Sequence, residues 1–276
     1  MPTSPLFSAF ASRTDLALDD SERAGLIRFV QKLIQTPSPS TQEAAVAALV
    51  QAELRGGGIT DVMVDRAGNV SARLGTGSGP VLLYDAHMDT VQPAVQGWPF
   101  PPYDGVLKDG LLYGLGACDM KSALGAMVYA ARRLVKAQAE LHGTLVLAFV
   151  VQEEPSEGHS LRLLLADQGF RPDWVILGEP SAMQIKRGHR GRVLFRVVVR
   201  GRSSHGASPE LGENAVTAAA RLVFGIDLLS TELPGDPFLG PGTVAVTHIE
   251  SHSPSLNAIP DLCTMHIDRR LTLGET

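Results

Sequence analysis

Apolar residues along this chain fall into two patterns, short continuous runs and stripes with helical spacing. The runs lie in PVLLYDAH, TLVLAFVVQEE and WVILGEP, and their branched residues predict buried strands. The stripes predict helices over residues 21–35, 120–139 and 160–168. A capping box, Ser40 with Glu43 three residues on, predicts a further helix that stops at a run of glycines. Strands that alternate with helices predict an α/β domain with a largely parallel central sheet and flanking helices.

The pattern changes near Ile185. From there polar and apolar residues alternate over IKRGHRGRVLFRVVVRGRS, as they do in an antiparallel strand. A helix is predicted over residues 214–231, and two strand patterns, GTVAVTHIES and DLCTMHIDRRL, come after it. We therefore predict two domains, an α/β domain over residues 1–184 and a smaller α+β domain over residues 185–276.

Composition narrows the class of protein. The 276 residues are 44% hydrophobic, enough for a sizeable core, and a net charge of −5 argues against nucleic acid as a partner. The apolar runs are too short to span a bilayer, and the start, MPTSPLFSAFASR, lacks the pattern of a signal peptide. Cys118 and Cys263 do not make a disulfide framework. We predict a soluble, cytoplasmic protein with no membrane partner.

Each of the three buried strands runs into acidic or histidine residues at its carboxyl end. These residues are His87, Asp89, Glu153, Glu154 and Glu179. Asp119 lies where a loop enters the helix predicted from residue 120. In open α/β sheets the ligand crevice lies outside the carboxyl ends of the strands, so these side chains could meet there. So many acids would repel one another unless a cation lay among them.

The donor types indicate which cation. Histidine with aspartate and glutamate suits Zn²⁺, with Co²⁺ or Mn²⁺ as possible substitutes, and the ligand count suits a two-metal hydrolytic site. Glu153 and Glu154 are adjacent, and successive strand side chains point to opposite faces unless the strand has ended. We therefore expect the two carboxylates to have different roles. One of them can bind metal while its neighbour transfers protons.

Five blocks of the sequence carry a resemblance to a known family. They are DAHMDTV, LYGLGACDMKSALGAM, VVQEEPSEG, LGEPS and SSHGASPELGENAV. In this order they resemble the zinc-dependent amidohydrolase and exopeptidase family of acetylornithine deacetylase, succinyl-diaminopimelate desuccinylase, aminoacylase and carboxypeptidase G. RGHRGR, DPFLGPGTVAV, SPSLNAIPD and DRRLTLGET look most similar to its selenium-metabolism-linked hydrolase branch. The resemblance implies a metal-dependent hydrolase that cleaves an amide or peptide bond in a small N-acyl amino acid or dipeptide.

The resemblance also implies which residues would bind two zinc ions. His87 would bind one ion, and Asp89 would hold the other ring nitrogen of His87 in the right tautomer. Asp119 would bridge the two ions. Glu154 would complete the shell of one ion and Glu179 that of the other.

The remaining roles that the resemblance implies concern the proton and the substrate. Glu153 would be the general base, taking a proton from the metal-bound water and delivering it to the leaving nitrogen. His205 would steady the oxyanion over the active site of a partner subunit, which implies a homodimer and a lid and dimerisation role for residues 185–276. Asn257 and Arg270 are candidates for binding a substrate carboxylate, although either could equally satisfy strand-end backbone groups.

One part of the family pattern has no match. The family needs a fifth ligand, a late histidine in a returning part of the catalytic domain, and His248, His252 and His266 do not match that motif. We therefore expect that the C-terminal part of the catalytic domain is absent, that the lid domain is incomplete, and that the chain as given is nearly inactive. The alternative is a non-catalytic relative or fragment that retains only binding or dimerisation.

Overall fold

The structure, a computed structural model, describes residues 16–75, 77–169 and 171–275. Its backbone contacts divide the chain into two compact units, Met1–Met183 and Gln184–Thr276. None of the helices in these described ranges is long and apolar enough to cross a membrane.

The first unit contains a central sheet with helices on both faces. Its helices are α1 (Asp20–Ile34), α2 (Ala44–Gly56), α3 (Ser122–Lys136), the single turn α4 (Glu153–Ser156) and α5 (His159–Gln168). Its strands are β1 (Val62–Val64), β2 (Val70–Gly75), β3 (Val81–His87), β4 (Val106–Lys108), β5 (Leu111–Tyr113), β6 (Thr144–Val150) and β7 (Trp174–Leu177). The three apolar runs in the sequence are β3, β6 and β7, so their prediction as strands is confirmed.

The central sheet has the order β1-β2-β6-β3-β7, and β4 with β5 forms a separate hairpin. Strand β3 runs parallel to both β6 and β7, whereas β1 and β2 are antiparallel to their neighbours. The α/β class is therefore confirmed, and the sheet is mixed. His87 at the end of β3 lies opposite Val150 at the end of β6, so the chain leaves both strands at the same edge.

Apolar side chains fill both faces of this sheet. On one face, buried residues of α1, α2 and α3 pack against the sheet, among them Leu33 and Leu124, which share a cluster with Phe149 of β6. On the other face Leu83 of β3 packs against Leu164 of α5. Full burial of such a side chain contributes about 1.5–3 kcal/mol. These two layers fix the strand ends from which the acids project.

Strand β7 is an exception to this burial. It lies at the edge of the sheet, and its four apolar side chains are between 47% and 60% exposed. Successive strand residues point to opposite faces, so both faces of β7 are open to solvent among the described residues.

Helix α2 begins differently from its prediction. Glu43 is its N-cap residue and makes no side-chain cap bond. The Ser40 hydroxyl donates to the Asp89 carboxylate at 2.7 Å, away from the helix. The predicted capping box is therefore wrong, because both polar side chains bind other parts of the fold.

Over its described residues, the second unit is an antiparallel sheet with one α-helix and a short 3-10 turn. Its elements are β8 (Gly191–Arg200), α6 (Ala215–Ser230), β9 (Gly235–Asp236), β10 (Gly240–Pro241), β11 (Thr243–His252) and β12 (Leu262–Leu271). The order is β11-β12-β8, and α6 packs Ala219 against Cys263 and Met265 of β12. Helix α6 was predicted, but the first strand begins only at Gly191, six residues later than the alternation suggested.

Candidate metal centre

The predicted metal-binding residues meet at the carboxyl edge of the parallel strands. His87 is the last residue of β3, and Glu153 begins the turn α4 after β6. Glu179 follows β7, where the Gly178 N–H donates to the Asp85 carbonyl of β3. Asp119 lies in the turn Ala117–Lys121, which leads into α3 and in which the backbone of Asp119 is not helical.

The imidazole of His87 is the centre of this arrangement. Its side chain is only 2% exposed, and its Nε2 lies 3.0 Å from Asp119 Oδ1 and 3.9 Å from Glu179 Oε1. The side chains form two groups of possible metal ligands, and within each group the ligand atoms lie within 4.8 Å of one another. Both groups include this imidazole. They are His87, Asp119 and Glu154, and His87, Glu153 and Glu179. Asp119 and Glu179 are about half exposed, so the site opens to solvent.

The acids of this site raise one another's pKa. Burial raises the pKa of the Glu153 carboxyl to about 7; the charge of His87 opposes this rise, and repulsion from Glu179 and Glu154 adds to it. Burial and neighbouring carboxylates likewise raise the pKa of Glu154 and of Glu179. Burial alone would lower the pKa of His87, but the hydrogen bond to Asp119 and the surrounding carboxylates raise it to about 9. Several carboxyl groups thus surround one imidazole, and their ionised forms would carry more negative charge than His87 can balance.

The donor set fits a divalent cation that would neutralise this charge. One imidazole nitrogen with carboxylate oxygens suits Zn²⁺, and Mn²⁺ or Co²⁺ less selectively. Two ligand atoms on one tetrahedral zinc ion lie about 3.3 Å apart. The separations of 3.0 Å and 3.9 Å from His87 Nε2 bracket that value.

The second ring nitrogen of His87 is held by Asp89, but mainly through its backbone. His87 Nδ1 lies 2.9 Å from the Asp89 carbonyl oxygen and 3.6 Å from the nearest oxygen of its carboxylate. Because a carbonyl only accepts, Nδ1 carries a proton, so it is Nε2 that would give its lone pair to a bound cation. The fully buried Asp89 carboxylate instead accepts the N–H groups of Glu153 and Glu154 at 3.0 and 3.2 Å.

A buried carboxyl group beneath His87 was missed from the sequence. Asp85 lies two residues before His87 and so on the same face of β3. Its Oδ1 is buried without a hydrogen-bond partner among the described residues. Burial, with repulsion from Glu179 and Glu153, raises its pKa to about 7 against the effect of His87. The alternation of PVLLYDAH could have shown that Asp85 shares this face.

A buried lysine behind Asp119 was also missed. Lys121 is 1% exposed, and its Nζ donates to the Leu33 and Thr36 carbonyl oxygens at 2.8 and 2.9 Å. It thus ties the turn that carries Asp119 to the carboxyl end of α1. A lone lysine among apolar residues is a weak signal, since most lysines lie on the surface.

The other three predicted site residues lie in the second unit. His205 and Asn257 are on neighbouring loops, joined by a backbone bridge between His205 and Ala258. The Arg270 guanidinium binds the Asp268 carboxylate at 2.7 and 3.1 Å. The roles of His205, Asn257 and Arg270 stay predictions.

The sequence of this chain is similar to those of known proteins. The model of peptidase family M20/M25/M40 matches residues 83–264. The chain is 37% identical over 255 residues to the protein YgeY of Escherichia coli K12, and 32% identical over 259 residues to succinyl-diaminopimelate desuccinylase of Gluconacetobacter diazotrophicus. These alignments cover 92% and 88% of this chain, which spans 63% and 66% of the length of those relatives.

A solved structure shows the same fold. The dipeptidase Dug1p from Saccharomyces cerevisiae is similar with a TM-score of 0.72 at 16% identity, over 99% of this chain and 73% of that protein. At this identity the likeness concerns the fold alone.

Proposed function

This chain belongs to peptidase family M20/M25/M40, and on that premise we propose that it acts as a metal-dependent hydrolase of amide or peptide bonds. The observation that carries the proposal is the convergence of His87 with four carboxylates at one edge of the sheet. The proposed substrates are small N-acyl amino acids or dipeptides. The name of the similar desuccinylase supports N-acyl amino acids.

We assign the metal centre to two zinc ions, for which Co²⁺ or Mn²⁺ could substitute. His87 and Glu179 would hold one ion, Glu154 would hold the other, and Asp119 would bridge them. Both groups of ligand atoms contain His87, so they support cation binding around this imidazole, with Asp119 in one group and Glu153 in the other. Glu153 is therefore close enough to the site to bind a cation or to transfer a proton there.

We assign the proton transfer to Glu153. When bound, the divalent ions would polarise the scissile carbonyl and make water acidic enough to react near neutral pH. The Glu153 carboxylate would take a proton from the attacking water and deliver it to the leaving nitrogen. The buried Asp89 carboxylate would hold the Glu153 backbone during this transfer. The Asp89 carbonyl would keep the proton of His87 on Nδ1.

For the second unit we propose a role in substrate binding and dimerisation. His205 would stabilise the oxyanion of the substrate, and Asn257 and Arg270 would bind its carboxylate. The pairing of Arg270 with Asp268 means that a substrate would share this guanidinium. Exposed apolar side chains of α6, such as Leu222 and Phe224, support a homodimer.

The test of the proposal is metal dependence in the 276-residue chain and in a longer form of the protein. Each is dialysed against a chelator, reloaded with zinc or cobalt, and assayed on N-acyl amino acids and dipeptides. In the longer form, hydrolysis should be lost on dialysis and restored by metal, whereas the 276-residue chain should hydrolyse little in either state. His87→Ala should lose bound metal, whereas His142→Ala, at an 87% exposed side chain, should keep it. Full hydrolysis by metal-free protein would contradict the proposal.

A further inference from the structure

The chain between β6 and the acid pair is held by side chains from three distant places. Residues 151–154 present four consecutive backbone N–H groups. That of Val151 donates to Asn69 Oδ1 at 2.9 Å, and that of Gln152 donates to Glu43 Oε1 at 3.0 Å. The next two donate to the Asp89 carboxylate. Each N–H of this segment therefore has a side-chain acceptor.

Glu43 has an unusual position among these acceptors. It is 5% exposed, and its Oε1 also accepts the Thr41 N–H at 2.9 Å. Both donors belong to residues in the left-handed region, with φ of 78° at Thr41 and 55° at Gln152. Residues other than glycine rarely adopt this conformation, and they keep it where surrounding contacts hold the backbone. One buried oxygen thus holds two left-handed residues.

We propose that Glu43 is a positioning residue for the Glu153–Glu154 pair. This inference rests on the proposed function. Gln152 immediately precedes the pair, so its backbone sets the direction in which the chain leaves β6 and in which both carboxylates project. Glu43 is absent from both groups of possible metal ligands. It would act through the backbone of Gln152 rather than on metal or substrate.

Two substitutions separate this role from simple packing. Glu43→Ala removes the acceptor for both N–H groups. Glu43→Gln keeps an oxygen at the same place, and because Oε1 alone accepts both bonds, the amide should restore the turn. The matched control is Val46→Ala, which opens a cavity at a fully buried residue of the same helix and removes no acceptor of the Thr41 or Gln152 N–H groups.

The first measurement needs no activity. Amide hydrogen exchange of metal-free protein should become about tenfold faster at Gln152 in Glu43→Ala, and stay near the wild-type rate in Glu43→Gln and Val46→Ala. Equal rates at Gln152 in Glu43→Ala and in Val46→Ala would overturn the inference. This result holds even if the protein hydrolyses nothing, so it is distinct from a failure of the proposed function.

The second measurement uses the zinc-loaded protein and the substrate that it turns over best. In Glu43→Ala, kcat should fall by about ten- to a hundredfold with KM within about twofold, since a misplacement near 1 Å costs on that order. Glu43→Gln should recover most of kcat. A Val46→Ala variant that loses kcat equally, or a Glu43→Gln variant that recovers none, would refute positioning through the Gln152 N–H.

Discussion

The Asp89 carboxylate offers the sharpest test of how the acid pair is held. Its side chain is fully buried and accepts three hydrogen bonds, from the Ser40 hydroxyl at 2.7 Å and from the N–H groups of Glu153 and Glu154. Asp89→Ala removes all three acceptors. Asp89→Asn keeps one oxygen but turns an amide group toward at least one of the donors. Ser40→Ala removes a single donor and leaves both N–H bonds in place.

The expected losses follow from these counts. A buried donor without an acceptor costs about 1–3 kcal/mol. The two N–H groups cannot turn away, whereas the Ser40 hydroxyl can rotate, so Asp89→Ala should lower the free energy of unfolding by about 2–5 kcal/mol. Asp89→Asn should cost about 1–3 kcal/mol and Ser40→Ala about 1 kcal/mol. Against a total of about 5–15 kcal/mol, the alanine variant is the one at risk of not folding.

Urea unfolding followed by tryptophan fluorescence measures the free energy of unfolding of the first unit. Both tryptophans of the sequence, Trp98 and Trp174, lie in the first unit together with Asp89. The midpoint should fall in the order wild type, Ser40→Ala, Asp89→Asn, Asp89→Ala, with little change in slope. An asparagine variant within about 0.5 kcal/mol of wild type would refute the reasoning, because ordinary surface substitutions have effects of that size.

Three further predictions concern the acids, the edge strand and an ion pair. Glu153→Gln should keep bound metal but lose turnover by about a hundredfold or more, whereas Glu154→Gln should lose metal. Elemental analysis measures the metal and kinetics the turnover. The reverse pattern would mean that the two residues have each other's role. An exposed apolar edge strand such as β7 promotes association between chains. Val175→Lys should therefore reduce self-association in sedimentation velocity, whereas Leu256→Lys on a second-unit loop should not. Equal effects of the two substitutions would exclude β7 as the contact. Although burial opposes it, Arg270 and Arg192 hold the pKa of Asp268 below its ordinary 3.8, so this group stabilises the fold above that pH and loses its effect as pH falls. Asp268→Asn should lower stability by about 1–2 kcal/mol at pH 7 in circular dichroism, with a smaller difference below pH 4, and a constant difference would argue against the ion pair.

The convergence of the site could be predicted because strand ends are visible in the sequence. His87, Glu153 and Glu179 each follow a short apolar run, and parallel strands bring their carboxyl ends to one edge. The pairing of β2 with β6 could not be predicted in this way. Asp85 was missed because only the residues at the carboxyl ends of the strands were taken as candidates, and Asp85 is connected to the site only by its alternation with His87.

The beginning of α2 shows where local pattern fails. Ser40 and Glu43 have the spacing of a capping box, yet their partners Asp89 and Gln152 lie 49 and 109 residues away along the chain. Local chemistry permits both arrangements, since the same oxygens can accept from a helix end or from a distant turn. Only the packing of the sheet decides between them. Sequence patterns therefore found the residues that face the cation site better than those that support it.

The adjacency of Glu153 and Glu154 explains why such support is needed. In a continuing strand the two side chains would point to opposite faces, so β6 must end before them, and it does so at Val150. The left-handed Gln152 then redirects the chain into α4, which has only four residues. A helix this short is not stable alone, and its first N–H groups lack partners within it. Asp89 accepts the first two N–H groups of α4, and acceptors at residues 43 and 69 bind the N–H groups just before it. The placement of this acid pair therefore depends on residues 64 to 109 positions away more than on its neighbours in the chain.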